Sequence, residues 1–319
     1  MKVLIVGGAG YIGSAVVEIM HSHPHVEVAV LDNLVFEDDY LDTRVEFIHC
    51  DILDYPKINS IVQNYDVLVW LAGVVGEPAC NASPDHTVRV NVEAFANICE
   101  NYKGHLIYTS TCSVYGVAED ICTEESPVNP LSLYAETKVD CEKILADYPY
   151  KKTLLRLGTL FGASANPIGR VRLDLGVNMI AYFACAGGVK VYGLEQFRPF
   201  VHVMDVAMAI NFIIDYAIEG TYIVSNFNYQ MANIANDVNN AINGEVNITE
   251  VPYDIVDKRD YQADNSKFVA LGFEYKYPLS VGIAEMGTLA ISQRIKNAAG
   301  PKYHNGKFYK NLVESLIIK

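Results

Sequence analysis

Charge is scarce in this chain, and positive charge scarcer still. Only 19% of residues are Asp, Glu, Lys or Arg, and 24 Lys and Arg face 38 Asp and Glu, for a formal net charge of −14. Proteins that grip nucleic acid need clustered cations against the phosphates, so that class of partner is excluded. Any phosphate-bearing ligand must be small, and local donors must hold it against an unfavourable global field. Seven cysteines stand at positions 50, 80, 99, 112, 122, 141 and 185, with no C-x-x-C pair. An odd, dispersed set reads as reduced thiols of a cytoplasmic protein and not as a disulfide framework. No stretch reaches the roughly 18 uncharged apolar residues of a membrane helix. The uncharged run from Val3 to Val17 behind Met1-Lys2 mimics a secretory leader, but its glycines at 7, 8, 10 and 13 would break a membrane helix. Internal repeats, low-complexity tracts and long linkers are also missing. What remains is 319 residues, 51% of them apolar. That is enough for one large domain or two intimate ones.

Short apolar runs alternate with helix-length amphipathic segments in the N-terminal half. Lys2–Val6, Glu27–Leu31, Val45–His49, Val67–Leu71, His105–Thr109 and Thr153–Arg156 read as buried parallel strands. Ile12–His21, Lys57–Asn64, Val88–Asn101 and Ser132–Ala146 carry apolar residues at helical spacing. This alternation predicts an α/β fold, a Rossmann-type doubly wound parallel sheet with helices on both faces. Beyond Arg156 the regularity fails, which predicts a smaller mixed α/β C-terminal substrate domain. The expected division is 1–160, rejoined by about 196–217, for the nucleotide part, with 161–195 and 218–319 for the substrate part.

Gly7, Gly10 and Gly13 form G-x-x-G-x-x-G, directly after a strand and opening a helix, with Tyr11 and Ile12 inside the loop. The first glycine permits the tight turn, the second admits a pyrophosphate, and the third allows close helix–strand packing. The helix start then offers N–H groups and partial positive charge to the anion. Asp32 ends the next strand, where a carboxylate accepts from the ribose hydroxyls and repels a 2′-phosphate, so NAD is expected over NADP. Asp51, after the third strand, would touch the adenine edge.

Tyr134 and Lys138 lie four apart on one helix face, and Thr109-Ser-Thr-Cys-Ser-Val-Tyr-Gly116 ends the strand before them. A free phenol titrates near ~10 and is a poor base at neutral pH. A nearby ammonium and a positive nicotinamide ring would favour the phenolate. Thr111 would hold a substrate hydroxyl in line. Alone, such a pair also arises on an ordinary amphipathic helix, and 21 tyrosines make chance matches cheap. Behind a dinucleotide loop it points to catalysis.

With these pieces the chain resembles the extended short-chain dehydrogenase/reductases that act on nucleotide-activated sugars, the UDP-galactose 4-epimerase-like group. The further matching residues are Asp32-Asn33, Cys50-Asp51-Ile52, Leu71-Ala72-Gly73, Asn91 and Arg198-Pro-Phe-Val-His-Val-Met-Asp205. The resemblance implies that Asp32 and Asn33 face the adenosine ribose and Asp51-Ile52 the adenine. It implies that Leu71, Ala72 and Gly73 line the path to the nicotinamide, with Asn91 and Thr109 beside it. Lys138 would also hold the nicotinamide ribose, and Tyr134 would also border the cofactor. Thr111, Tyr134 and Lys138 would be catalytic, and Ser113, Asn178, Arg198 and Arg259 would meet the sugar nucleotide. Arg198 suits the diphosphate because a guanidinium fork bonds two oxygens at once. A homodimer through Val88–Asn101 and Ser132–Ala146 is also implied, although those faces would serve equally to pack on the sheet.

The implied reaction is NAD-dependent oxidoreduction at C4 of the sugar, with epimerisation the leading expectation. A 4-dehydrogenase or 4-keto reductase would use the same Thr/Tyr/Lys set. Dehydratases of this group carry Asp-Glu immediately after the strand-end threonine; Cys112 and Ser113 stand there instead. Thr159 replaces the Asn usual in hexose epimerases. A non-enzymatic NAD-binding regulator is the rival of another class, but such proteins typically lack the Tyr/Lys pair. No metal is expected: His21-Ser-His-Pro-His25 sits at a helix end without a further Cys or carboxylate pattern, and Cys112 without a His partner is a packing residue.

Overall fold

The computed structural model describes residues 1–36, 42–164, 170–191, 195–242, 248–250 and 259–317. Its strands are β1 (Lys2–Val6), β2 (Glu27–Asp32), β3 (Glu46–His49), β4 (Val67–Trp70), β5 (His105–Thr111) and β6 (Lys152–Leu157). There follow β7 (Thr159–Phe161), β8 (Val189–Val191), β9 (Phe197–His202), β10 (Gly220–Val224), β11 (Phe227–Gln230) and β12 (Ile248–Glu250). The first helices are α1 (Tyr11–Met20), α2 (Tyr55–Val62), α3 (Glu77–Ala82), α4 (Pro84–Val88), α5 (Ala94–Asn101) and α6 (Leu133–Ala146). The later ones are α7 (Gly176–Cys185), α8 (Val203–Asp215), α9 (Met231–Ile242), α10 (Ser266–Val269), α11 (Leu279–Ile291) and α12 (Asn305–Ile317).

The large sheet runs β10-β6-β5-β4-β1-β2-β3 and every pairing in it is parallel. Strand order reverses between β1 and β4, so loops diverge there and open a crevice beyond the strand ends. Because side chains alternate across a strand, one sequence feeds two cores. Val3, Ile5, Val28, Val30, Val67 and Val69 pack with α1 and α8. Leu4, Val6, Leu31, Leu68, Trp70 and Tyr108 pack with α2, α5 and α6 on the other face. A third core joins α7, α9 and α11 around Phe161, Ile180, Ile234 and Met286. Two smaller sheets, β11-β9-β7 and β12-β8, complete the fold.

The expected strands and helices are present with ends shifted by caps. Asp54 accepts from Lys57 N at 3.3 Å and starts α2 ahead of Lys57. Ser132 accepts from Ala135 N at 3.3 Å and starts α6. The helix expected over Val88–Asn101 begins earlier, at Pro84, and passes through a wide π turn at Arg89–Glu93 before α5. β10, within the span expected for the substrate part, pairs with β6, and Phe268 and Phe273 return to the α1/α8 core.

Candidate active site

A cleft of about 1480 Å³ follows the strand ends from Asp32 and Asp51 at one end to Tyr134, Arg198 and Arg259 at the other. The glycine loop forms its floor. Gly7 adopts φ +83°, and a Cβ there would sit 2.6 Å from Ala72 N. A Cβ on Gly13 would run into the Gly8 backbone. Gly10, which caps α1, would meet only Gly7 O at 3.2 Å, so the space above it is open to a ligand. The first-turn N–H groups of Tyr11, Ile12 and Gly13 have no intrahelical acceptor and line the cleft. This cradle fits a pyrophosphate.

At the adenosine end, the Asp32 carboxylate accepts from Ala9 N at 3.1 Å and Leu34 N at 2.8 Å. Burial pushes its pKa up, against those hydrogen bonds. Asn33 donates to Asp51 at 3.1 Å, and Asp51 accepts from Leu53 N at 2.9 Å. Asp32, Asn33, Asp51 and Ile52 all line the cleft, as do Leu71, Ala72 and Gly73.

Asn91 does not. It is 4% exposed, and its amide clamps Val74, accepting from its N at 2.7 Å and donating to its O at 3.0 Å, with a third bond to Thr137. The residue expected beside the cofactor path is therefore a brace for the loop that forms the path. Asn178 needs the same correction. It is fully buried, accepts from Gly162 N at 2.8 Å, and donates to Arg172 O at 2.9 Å and Gly162 O at 3.2 Å. With every bond directed inward it fixes the cleft wall and is not among the residues that line the cleft. Tyr11 lines the cleft, but its hydroxyl points away and donates to Gly162 O at 2.5 Å.

At the other end β5 delivers Thr109 and Thr111, the turn after it delivers Ser113, and α6 delivers Tyr134 and Lys138; all five face the cleft. Lys138 Nζ donates to Thr109 O at 2.8 Å and lies 5.9 Å from the centre of the Tyr134 ring. Burial pushes Lys138 down and pushes the Tyr134 phenol up to about 12; Arg172 and Arg259 pull the phenol the other way. The protein's own charges thus leave Tyr134 protonated at neutral pH. Thr111 donates to Ser113 at 3.1 Å, and Arg259 donates to Ser113 at 2.7 Å. Arg198 is 7% exposed, donates to Phe197 O at 2.7 Å, and sits 5.4 Å from the Tyr261 ring. Arg198 and Arg259 line the same cleft. Arg259 belongs to the charged run Asp257-Lys-Arg-Asp-Tyr261, of which Asp257 and Lys258 lie outside the described residues.

Several cleft residues were given no role by sequence. Arg172 is buried, holds Asp174 through two bonds of 3.0 Å, and acts on Tyr134. Arg170 stacks 3.6 Å above the Phe36 ring. His304 to Lys307, with Tyr309 and Lys310, form a further wall. Arg170, Arg172 and Asp174 fall in the stretch Gly169–Asn178, which resembles a subgroup of sugar 4-dehydrogenases, reductases and epimerases, whereas no motif announces 304–310, which packing across long sequence separations brings in. Cys112 is fully buried with its thiol pushed up by burial, as a packing residue should be. His23 pairs with Asp215 at 2.9 Å, and no metal-holding cluster occurs among the described residues.

The model of the "NAD dependent epimerase/dehydratase family" matches residues 3–225. UDP-glucose 4-epimerase of Bacillus subtilis is 29% identical over 243 residues, 65% of this chain and 70% of that protein. Methionine adenosyltransferase 2 subunit beta of Rattus norvegicus is 26% identical over 303 residues, 89% of this chain and 86% of that protein. Among solved structures, UDP-glucose 4-epimerase of Thermus thermophilus, in complex with NAD, superposes with a TM-score of 0.78 at 25% identity, covering 90% of this chain and 98% of that one. A match over most of the chain, a glycine cradle at the sheet's switch point and a Tyr/Lys pair facing it lead to one conclusion: this chain belongs to the NAD-dependent epimerase/dehydratase family and is an NAD-dependent enzyme of the extended short-chain dehydrogenase/reductase type.

Proposed function

We propose that the chain is a nucleotide-sugar 4-epimerase. The observation that carries this reading is the convergence of Thr111, Tyr134 and Lys138 on the same cleft as the glycine cradle. When bound, NAD would accept a hydride from C4 of the sugar and return it, and its positive oxidised ring would favour the Tyr134 phenolate. Tyr134 takes the proton of the C4 hydroxyl as the C4–H bond breaks, leaving a 4-keto sugar. Thr111 orients that hydroxyl, and Lys138, fixed by Thr109 O, adds positive charge beside the phenol. Arg198 and Arg259 suit the diphosphate, and their charge is needed in a chain of net −14. The sugar half of the cleft is assigned to its Arg198 and Arg259 end. Reversal at the other face of the ketone gives the epimer with no net redox change.

Dehydration is disfavoured because neither buried Cys112 nor hydrogen-bonded Ser113 supplies the acid–base pair that elimination needs. A 4-dehydrogenase or 4-keto reductase is the second reading, since it uses the same three residues. We also infer a cytoplasmic homodimer. Seven free cysteines suit a reducing compartment, and Val88, 38% exposed on the helical run before α5, is available to a second copy. No helix among the described residues is long and apolar enough to cross a membrane.

Purified protein incubated with UDP-, GDP-, CDP- and dTDP-sugars should interconvert one C4 pair with no accumulation of NADH. NADH rising in step with product would replace the epimerase by a dehydrogenase. No conversion of any sugar, with NAD bound, would overturn both readings.

A further inference from the structure

The cleft has a wall that no motif predicts and that lies beyond the matched family segment, which ends at residue 225. It is built by the start of α12. Asn305, 3% exposed, ties together pieces that are far apart in sequence. Its backbone N–H donates to Asp174 at 3.0 Å, its amide donates to Val75 O at 2.9 Å, and its oxygen accepts from Arg170 at 2.7 Å. At the next residue, a Cβ on Gly306 would lie 2.7 Å from Pro78, so only glycine lets α12 lie this close to α3. Phe308 and Tyr309 then reach Phe36, with ring centres 4.4 and 5.7 Å away, and the Arg170 guanidinium covers Phe36 from another side.

Phe36 borders the adenosine end, close after Asp32, whereas Asp174 holds Arg172 at the Tyr134 end. The segment therefore spans the length over which a dinucleotide would lie, along the cleft that the glycine loop also lines. We propose that residues 304–310 are a cofactor-binding wall of this enzyme, a clasp that retains the dinucleotide through both half-reactions. The inference rests on the epimerase reading and deepens it. An epimerase must keep its reduced cofactor until the ketone has turned, whereas a dehydrogenase must let it go. A wall pinned at Val75, Arg170, Asp174 and Phe36 has to part from at least one of them before the ligand can leave.

The test is cofactor exchange in the purified holoenzyme, followed by replacement of bound NAD with isotope-labelled NAD, in the parent, Asn305→Ala and a Phe308→Ala/Tyr309→Ala double variant. Both variants should exchange about 10- to 100-fold faster, the factor expected from losing one or two hydrogen bonds or an aromatic contact. During turnover they should also leak reduced cofactor and keto sugar, and excess NAD should restore their rate. Circular dichroism melts show whether each variant is folded, and the aromatic pair carries the test if Asn305→Ala is not. Exchange at the parent rate in folded variants would overturn the clasp while leaving the epimerase reading in place. A parent that interconverts no sugar and carries no dinucleotide would overturn both.

Discussion

Tyr134 is held between opposing forces. Burial raises its pKa to about 12, the charges of Arg172 and Arg259 lower it, and Lys138 spends one donor on Thr109 O. A phenol so poised is a proton acceptor only when further positive charge stands beside it. Tyr134→Phe removes the acceptor and keeps the ring, so turnover should fall by roughly 10²–10⁴-fold, the usual weight of a positioned general base. Bound dinucleotide per chain should stay at the parent value; a variant that turned over at the parent rate would exclude Tyr134 as the base. This residue was legible in the sequence because its partner lies one helical turn away and its loop precedes it in contiguous spacing. Asn91 and Asn178 show the limit of such reading. Their positions near the site follow from the motif, but the direction of each amide follows from which backbone groups packing leaves unpaired, here those of Val74, Gly162 and Arg172. Asn305 was out of reach altogether, since its partner Val75 is 230 residues away.

Helix α6 presents Tyr134 and Lys138 correctly only if it cannot roll or slide, and its next turn holds it. Glu142, on the same face, accepts from Ser110 at 2.5 Å on β5 and from Arg156 at 2.8 Å on β6. Arg156 also donates to Tyr115 and to Glu124 O, each at 2.9 Å. Ser110 and Arg156 are register partners in the sheet, so helix and both strands meet at one point. The pair is largely out of water, with side-chain exposures of 9% and 10%. Glu142→Ala would strand the guanidinium, at a cost of roughly 3–5 kcal/mol. The denaturant midpoint should show it, and a Glu142→Leu/Arg156→Met double variant should recover much of the loss. A single variant as stable as the parent would mean that α6 is anchored elsewhere. The strands were legible because buried parallel strands read as Val, Ile and Leu runs. The π turn at Arg89–Glu93 was not: one extra residue in a turn barely disturbs the helical period, yet it falls at the turn that carries Asn91.

Across the whole molecule, chemistry gathers at one end of the sheet, while the opposite end carries a separate control on stability. His105, the first residue of β5, is 6% exposed, and its Nε2 lies 2.7 Å from Thr153 Oγ1. The Thr153 hydroxyl donates its only hydrogen to Ile218 O at 2.6 Å, so His105 Nε2 must be the donor and Nδ1 is bare. Burial pushes the imidazole down from 6.5 to about 4. The unfolded chain gains this proton near pH 6.5 and the folded chain only near pH 4, so between those values the unfolded state binds more protons. The contribution of His105 is therefore fully present above pH 6.5 and is lost as pH falls towards 4, by at most about 3.5 kcal/mol at roughly 1.4 kcal/mol per pH unit. Asp32 and Asp205, both raised by burial, act in the opposite sense, because their protonation in acid favours the folded state. The raw pH–stability curve thus mixes signs, and the difference between the parent and His105→Gln isolates one of them. Glutamine retains a donor for Thr153 but cannot take up a proton, so the parent should lose stability relative to it between pH 7 and 4, read from denaturant midpoints. Parallel curves would mean that the imidazole is protonated as readily in the folded chain as in the unfolded one, which its 6% exposure and bare Nδ1 argue against.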